Sequence, residues 1–257
     1  MSAPDTRSEP WGRLSALTPA RIGLGRAGSG LGTHETLRFA LAHAQARDAV
    51  HAALDEDRLA AELGTLGLDS LRVASRAAGR ASYLLRPDLG RSLDAASRTA
   101  VEARVKAGCD IALVIADGLS ASAVTAQTEA FLASFLPLSK QHGWSLSPAV
   151  IVSQGRVAIG DEIGALLGAR LTLLLIGERP GLSSPDSLGL YITHAPRPGR
   201  NDGERNCVSN IHGAGLSPAE AAARAAWLIE ASLSRGLSGV ALKDESASST
   251  SPRLAAP

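Results

Sequence analysis

Apolar positions change their period along this chain. From Thr33 onward Leu37, Ala40, Leu41 and Ala44 recur at helical spacing, with Thr33 available as an N-cap and Glu35 favourably placed in the first turn. A second helical stretch covers 57–66 and ends near Gly64 and Gly67. Past residue 70 the pattern shifts to short, nearly continuous apolar runs at 111–116, 149–152 and 171–176. Runs of that length, bounded by turn residues, fit strands buried on both faces of a sheet. Helical segments at 120–141 and 161–167 separate them. A last helix at 218–237 opens with Ser217 as cap, Pro218 at the first helical position and Glu220 at the third. The alternation predicts an α/β fold: a Rossmann-like, mostly parallel sheet with right-handed crossovers, preceded by a helical N-terminal region. Residues 1–17 and 244–257 read as mobile tails, 18–90 as the N-terminal region and 91–243 as the sheet domain.

Composition narrows the function. Lys plus Arg number 26 and Asp plus Glu 25, so there is no broad basic field and nucleic-acid binding is not expected. Aromatics make up 3% of the chain, which leaves the core to Ala, Leu, Val and Ile and provides no stacking platform for bases. Cys109 and Cys207 make no disulfide scaffold and suit a reducing compartment. No stretch approaches a membrane span, and residues 1–10 lack an apolar signal core. A soluble cytoplasmic protein is expected.

In open α/β sheets ligands bind outside the carboxyl ends of the strands. Those ends carry Asp117-Gly118-Leu119-Ser120, then Ser153-Gln154-Gly155-Arg156-Val157, then Gly177-Glu178-Arg179-Pro180-Gly181. Each sets glycine beside polar groups, which allows close backbone approach to a ligand, although strand-to-helix turns use such residues anyway. Glu178 can accept hydrogen bonds from a ligand or pair with a neighbouring arginine. Asp186 and Ser187 follow in the same loop. Asn206-Cys207-Val208-Ser209-Asn210 forms another polar cluster before the last helix. A packed or ligand-contacting Cys207 is favoured over a nucleophile, because the nearest histidine, His212, is five residues away.

Familiar catalytic patterns are incomplete. Gly23-Leu24-Gly25-Arg26-Ala27-Gly28 spells the dinucleotide fingerprint, but Pro19 interrupts the segment before it and the helix begins late. A partner-bound arm carrying Arg21 and Arg26 is the better reading. No phosphate loop is present, Gly118 to Ser122 lacks the final glycine of a nucleophile elbow, and histidines and cysteines show no metal spacing. An α/β chain with a ligand edge but no evident acid, base or nucleophile set suits the cofactor-binding part of a larger enzyme. A stand-alone nicotinamide-dependent oxidoreductase using Gly23 to Gly28, and a non-enzymatic interaction protein, are the alternatives.

Several longer strings carry a resemblance. These are Thr18 through Gly28, Tyr83 through Arg91, Ala116-Asp117-Gly118-Leu119-Ser120, Gly155-Arg156-Val157 with Gly160 through Gly164, Ile176 through Leu182, and Arg205 through His212. In this order they resemble the small (light) subunit of ethanolamine ammonia-lyase. The resemblance implies an adenosylcobalamin-dependent lyase acting on ethanolamine, a carbon–nitrogen lyase. Its large subunit holds ethanolamine and performs the radical chemistry, and its small subunit, without catalytic residues, covers part of the cobalamin at the subunit interface. Carried over by motif, the cobalamin contacts fall on Val157, Glu178 and Cys207. The N-terminal region would then meet the large subunit. A cytoplasmic location is implied, with a bacterial microcompartment as a further expectation. The long Ala/Pro-rich extension tied to encapsulation in some members has only a short counterpart before Thr18, which argues against it. The D-x-H-x-x-G loop of other cobalamin proteins is absent, consistent with a family that keeps the cofactor's own base on cobalt.

Overall fold

Period and caps set the elements in a computed structural model that describes residues 9–18, 20–104 and 108–246. In chain order these are α1 (Glu9–Ser15), β1 (Arg26–Ala27), β2 (Gly30–Leu31), α2 (Thr33–His51), α3 (Glu56–Thr65), β3 (Ser70–Ala74), α4 (Arg80–Leu85) and α5 (Ala95–Glu102). Then follow β4 (Ile111–Ala116), α6 (Ala121–His142), β5 (Ala149–Ser153), α7 (Ile159–Leu166), β6 (Leu171–Gly177), β7 (Leu188–His194), β8 (Arg205–Ile211) and α8 (Pro218–Arg235). Of the expected tails, 1–17 and 244–257, residues 1–8 and 247–257 lie outside the described residues, and Glu9–Ser15 of the first is helical. Among the described residues no helix is long and apolar enough to cross a membrane.

The helix ends obey their local chemistry. Ser120 caps α6 by accepting from the Ala123 N–H, and Gly143 ends that helix in the left-handed region. Ser217 and Glu220 form the capping box of α8. Thr33 is corrected from cap to first helical residue: extended Gly32 is the cap of α2, and its carbonyl accepts from the Thr36 N–H.

The main sheet has the order β3-β5-β4-β6-β7-β8. The first four strands run parallel, and β7 and β8 are added antiparallel. This is the α/β, mostly parallel sheet expected from the apolar runs. Every residue of β4 and β6 is buried, as strands covered on both faces must be. One face packs Ile111, Leu113, Leu173 and Leu190 against α3, α6 and α8, around Phe131 and Phe135. The other packs Ala112, Val114, Val150 and Leu174 against Val101 of α5 and Ile159 and Ile163 of α7. Beyond β6 the same face of β7 and β8 carries Tyr191, Thr193, Arg205 and Cys207; α7 reaches it through Asp161, which pairs with buried Arg205, while Cys207 stays exposed.

Three strands of the main sheet, besides the short ribbon β1–β2, have no counterpart in the sequence reading. Ser70–Ala74 pairs with β5 at the sheet edge and is half-buried, so its apolar signal is thin. Leu188, Leu190 and Ile192 do alternate with Gly189, Tyr191 and Thr193, a period-2 pattern hidden by the glycine and the hydroxyls. The 206–210 cluster, read as a polar stretch before the last helix, is part of edge strand β8. Val208 and Ile211 are its core-facing anchors, and a register irregularity breaks the alternation.

The Gly23–Gly28 glycines occupy neither place the dinucleotide fingerprint demands. They lead into the two-stranded ribbon β1–β2, and Gly23 lies flat against Trp11. With no strand before them and no helix opening from them, the nicotinamide reading loses its structural context.

Candidate functional site

The chain runs from β4 through α6 to β5 on one side, then through α7 to β6 on the other side of β4. This reversal opens a crevice between the carboxyl ends of β4 and β6, the place where such sheets bind ligands. A cavity of about 370 Å³ lies there. Its wall includes Gly118 and Leu119 after β4, Arg156 and Val157 after β5, and Glu178 and Arg179 after β6. All three strand-end segments singled out in the sequence therefore meet in one cavity.

Two glycines make the floor. Gly118, with φ +57°, directs its missing Cβ to within 2.2 Å of the Gly177 carbonyl oxygen, and that oxygen accepts from the Leu119 N–H at 2.9 Å. Only residues without side chains bring the ends of β4 and β6 this close.

Asp117 pegs the floor to the loop beside it. It is 3% exposed, accepts from the Gly155 N–H at 3.1 Å and lies 3.7 Å from Arg80. Arg80 itself donates to the carbonyls of Gly118 and Val50, tying α4 and the end of α2 to the same edge. Burial pushes the Asp117 carboxyl up to about 6, against the pull of the neighbouring amides and Arg80. A folded state that keeps this proton longer than the unfolded chain is stabilised in full below about pH 4, and that stabilisation is gone once pH has risen past about 6. The stability of the native chain relative to Asp117→Asn should accordingly rise by about 1 kcal/mol between about pH 7 and about pH 5. Parallel urea titrations of the two proteins measure it, and a difference independent of pH would show that Asp117 is not held by burial.

Glu178 is held rather than loose. Its Oε2 accepts from Ser187 Oγ at 2.5 Å and from the Asn210 N–H at 3.3 Å. Oε1 rests over Gly189, where a Cβ would come within 2.9 Å, and it takes no protein donor among the described residues. The carboxylate thus presents one fixed, free acceptor. Among the described residues it pairs with no arginine.

Val157 is half-buried on the cavity wall beside Arg156. Cys207 is not in the lining. It lies on β8 in register with Tyr191, which is, so the two side chains share one face of the sheet. Cys207 is exposed as a residue, and partial desolvation pushes its thiol up. Such a thiol stays protonated near neutrality and is a poor nucleophile, so the contacting role is favoured. His212 bonds Asn210 and Ser184 instead, and accepts from the Ala214 N–H. Asp186 is not in this lining, while its neighbour Ser187 steadies Glu178.

Tyr83 and Tyr191 also line the cavity and lie outside the three strand-end segments. Tyr83 is fully buried, donates to the Gly155 carbonyl, and has the guanidinium of Arg156 4.1 Å from its ring centroid. In a chain so poor in aromatics, a tyrosine preceding an Arg-Pro-Asp loop was the available signal.

Comparison with known proteins covers nearly the whole chain. Residues 8–243 match the family described as Ethanolamine ammonia-lyase light chain (EutC). The chain is 54% identical over 255 residues to the ethanolamine ammonia-lyase small subunit of Bradyrhizobium diazoefficiens, covering 99% of this chain and 98% of that one. It is 55% identical over 247 residues to the protein of the same description in Rhodopseudomonas palustris, covering 95% of each. The small subunit of Xanthomonas campestris is 55% identical over 249 residues, 95% of this chain and 92% of that one.

Proposed function

Because the chain belongs to the ethanolamine ammonia-lyase light-chain family, we propose that it is the non-catalytic subunit that holds adenosylcobalamin against a large subunit, which converts ethanolamine to acetaldehyde and ammonia. The observation carrying this reading is the strand-end cavity that joins Val157 and Glu178 at the crevice between β4 and β6. The cavity suits a corrinoid in chemistry and in shape. A corrin ring is flat, apolar on its faces and rimmed by amide side chains. Leu119, Val157 and Ile176 provide apolar wall, and Glu178 Oε1 provides an acceptor for an amide N–H. Cobalamin exceeds the cavity in size, so this chain would form one wall of a site that a partner completes.

When bound, the cofactor supplies a cobalt–carbon bond whose homolysis starts hydrogen abstraction from the substrate. The residues of this chain have a passive task. Glu178 orients the rim, Val157 and the glycine floor fit the face, and Tyr191 with Cys207 extends that wall onto β7 and β8. The N-terminal region is proposed as the surface that meets the large subunit. Its helix α2 leaves Leu37 and Leu41, one turn apart on one face, exposed at 64% and 59%, and Phe39 on another face at 48%. Arg21 reaches from that region to the Leu182 carbonyl in the Glu178 loop, so the surface continues to the site.

The test is acetaldehyde formation from ethanolamine and adenosylcobalamin by the large subunit, assayed with and without this chain. Activity only when both are present is the expected result. Full activity of the large subunit alone would overturn the proposal, as would none with a large subunit competent beside its own small subunit.

A further inference from the structure

A second cavity, of about 500 Å³, adjoins the first across Arg156 and Val157, which line both. Arg91, Arg156, Arg200 and Arg205 face it, against the single carboxylate of Asp202. Two of these arginines are already committed: Arg200 pairs with Glu204, and Arg205 with Asp161. Arg91 and Arg156 have no carboxylate partner among the described residues. Arg156 donates one Nη2 bond to the Tyr83 carbonyl, while its buried Nε has no hydrogen-bond partner. The two residues are brought together by the chain itself. The Arg156 N–H donates to the Gly90 carbonyl at 2.7 Å, and a Cβ on Gly90 would meet the Arg156 stem at 2.7 Å.

Two guanidiniums without a carboxylate partner among the described residues, exposed Arg91 and Arg156 laid on the Tyr83 ring, form at this corner a site for a small oxyanion. The amide rim of a corrinoid does not supply one. The phosphodiester that links cobalamin's nucleotide loop does: it is the anionic group of that part of the molecule, with two free oxygens for guanidinium donors. We propose that Arg91 and Arg156 bind this phosphodiester, while the cavity of Val157 and Glu178 takes the amide-bearing rim. The inference rests on the cofactor reading above and adds which part of the ligand lies at which end.

Adenosylcobinamide lacks the phosphodiester and its base, so it separates the two ends. The complex of this chain with its large subunit is dialysed to equilibrium against adenosylcobalamin and, separately, adenosylcobinamide. Assembly is checked by gel filtration. Arg91→Ala should raise the Kd for adenosylcobalamin about tenfold and leave that for adenosylcobinamide within about twofold. Arg91→Lys, which keeps the charge, should recover part of the loss. No change for adenosylcobalamin, or an equal loss for both ligands, overturns the phosphodiester site while the cofactor reading stands. A native complex that binds neither corrinoid overturns the cofactor reading and this site with it.

Discussion

Replacing Asp161 by Ala should cost about 3–5 kcal/mol of folding stability. Asp161 in the first turn of α7 and Arg205 on β8 are each 2% exposed, and Arg205 Nη1 donates to Asp161 Oδ1 at 2.9 Å. Arg205 also donates to the Arg200 carbonyl, so the pair fastens edge strand β8 and the 200–204 turn to the helix beneath the second cavity. Removing the carboxylate leaves a guanidinium that cannot shed its proton in the interior. Burial raises the Asp161 carboxyl, opposed by Arg205, which marks how much desolvation the pair endures. The cost therefore comes from stranding a charge rather than from losing a strong bond. The double change Asp161→Leu with Arg205→Met should recover most of the loss, because both costly groups leave together. Urea midpoints of the three proteins decide it. A loss below about 1 kcal/mol for Asp161→Ala would mean that solvent reaches the pair as at a surface bridge.

The second large effect falls on the ligand. In the assembled enzyme, Glu178→Ala should weaken adenosylcobalamin retention by about ten- to a hundredfold, the equivalent of about 1–3 kcal/mol for a buried hydrogen-bonded acceptor. Ser187 and Asn210 occupy Oε2 and fix the carboxylate, and Oε1 over Gly189 is the atom lost to the ligand. Glu178→Gln tests the division of labour: its amide oxygen can keep one set of partners, so a smaller loss is expected. Equilibrium dialysis against the cofactor reads both variants. Native affinity in Glu178→Ala would remove this residue from the site.

Much of the fold was written in local pattern. The apolar runs of β4, β5 and β6 are unambiguous because strands covered on both faces have no polar positions to blur them. Ser120, Gly143 and the Ser217–Glu220 box mark helix ends through bonds spanning only a few residues. The edge strands β3 and β8 escaped for the opposite reason. Half of each faces solvent or the site, and their identity as strands comes from neighbours far away in the chain, Ala149–Ser153 and Leu188–His194. Thr33 was misplaced by one residue since the cap depends on where the incoming ribbon leaves Gly32 extended.

The same division holds for the site. Three glycine-bearing strand ends, and a family likeness that names Val157, Glu178 and Cys207, are legible in the chain because both are properties of contiguous residues. That Val157 and Glu178 share one wall while Cys207 stands behind Tyr191, that Glu178 is tied to Ser187 and Asn210, and that Arg91 lies beside Arg156 emerges with the packed layers. Those relations are set by the parallel pairing of β4 with β6 and by close backbone approach at Gly118 and Gly90. Contacts between residues many positions apart depend on how the layers pack, and no local period along the chain records that.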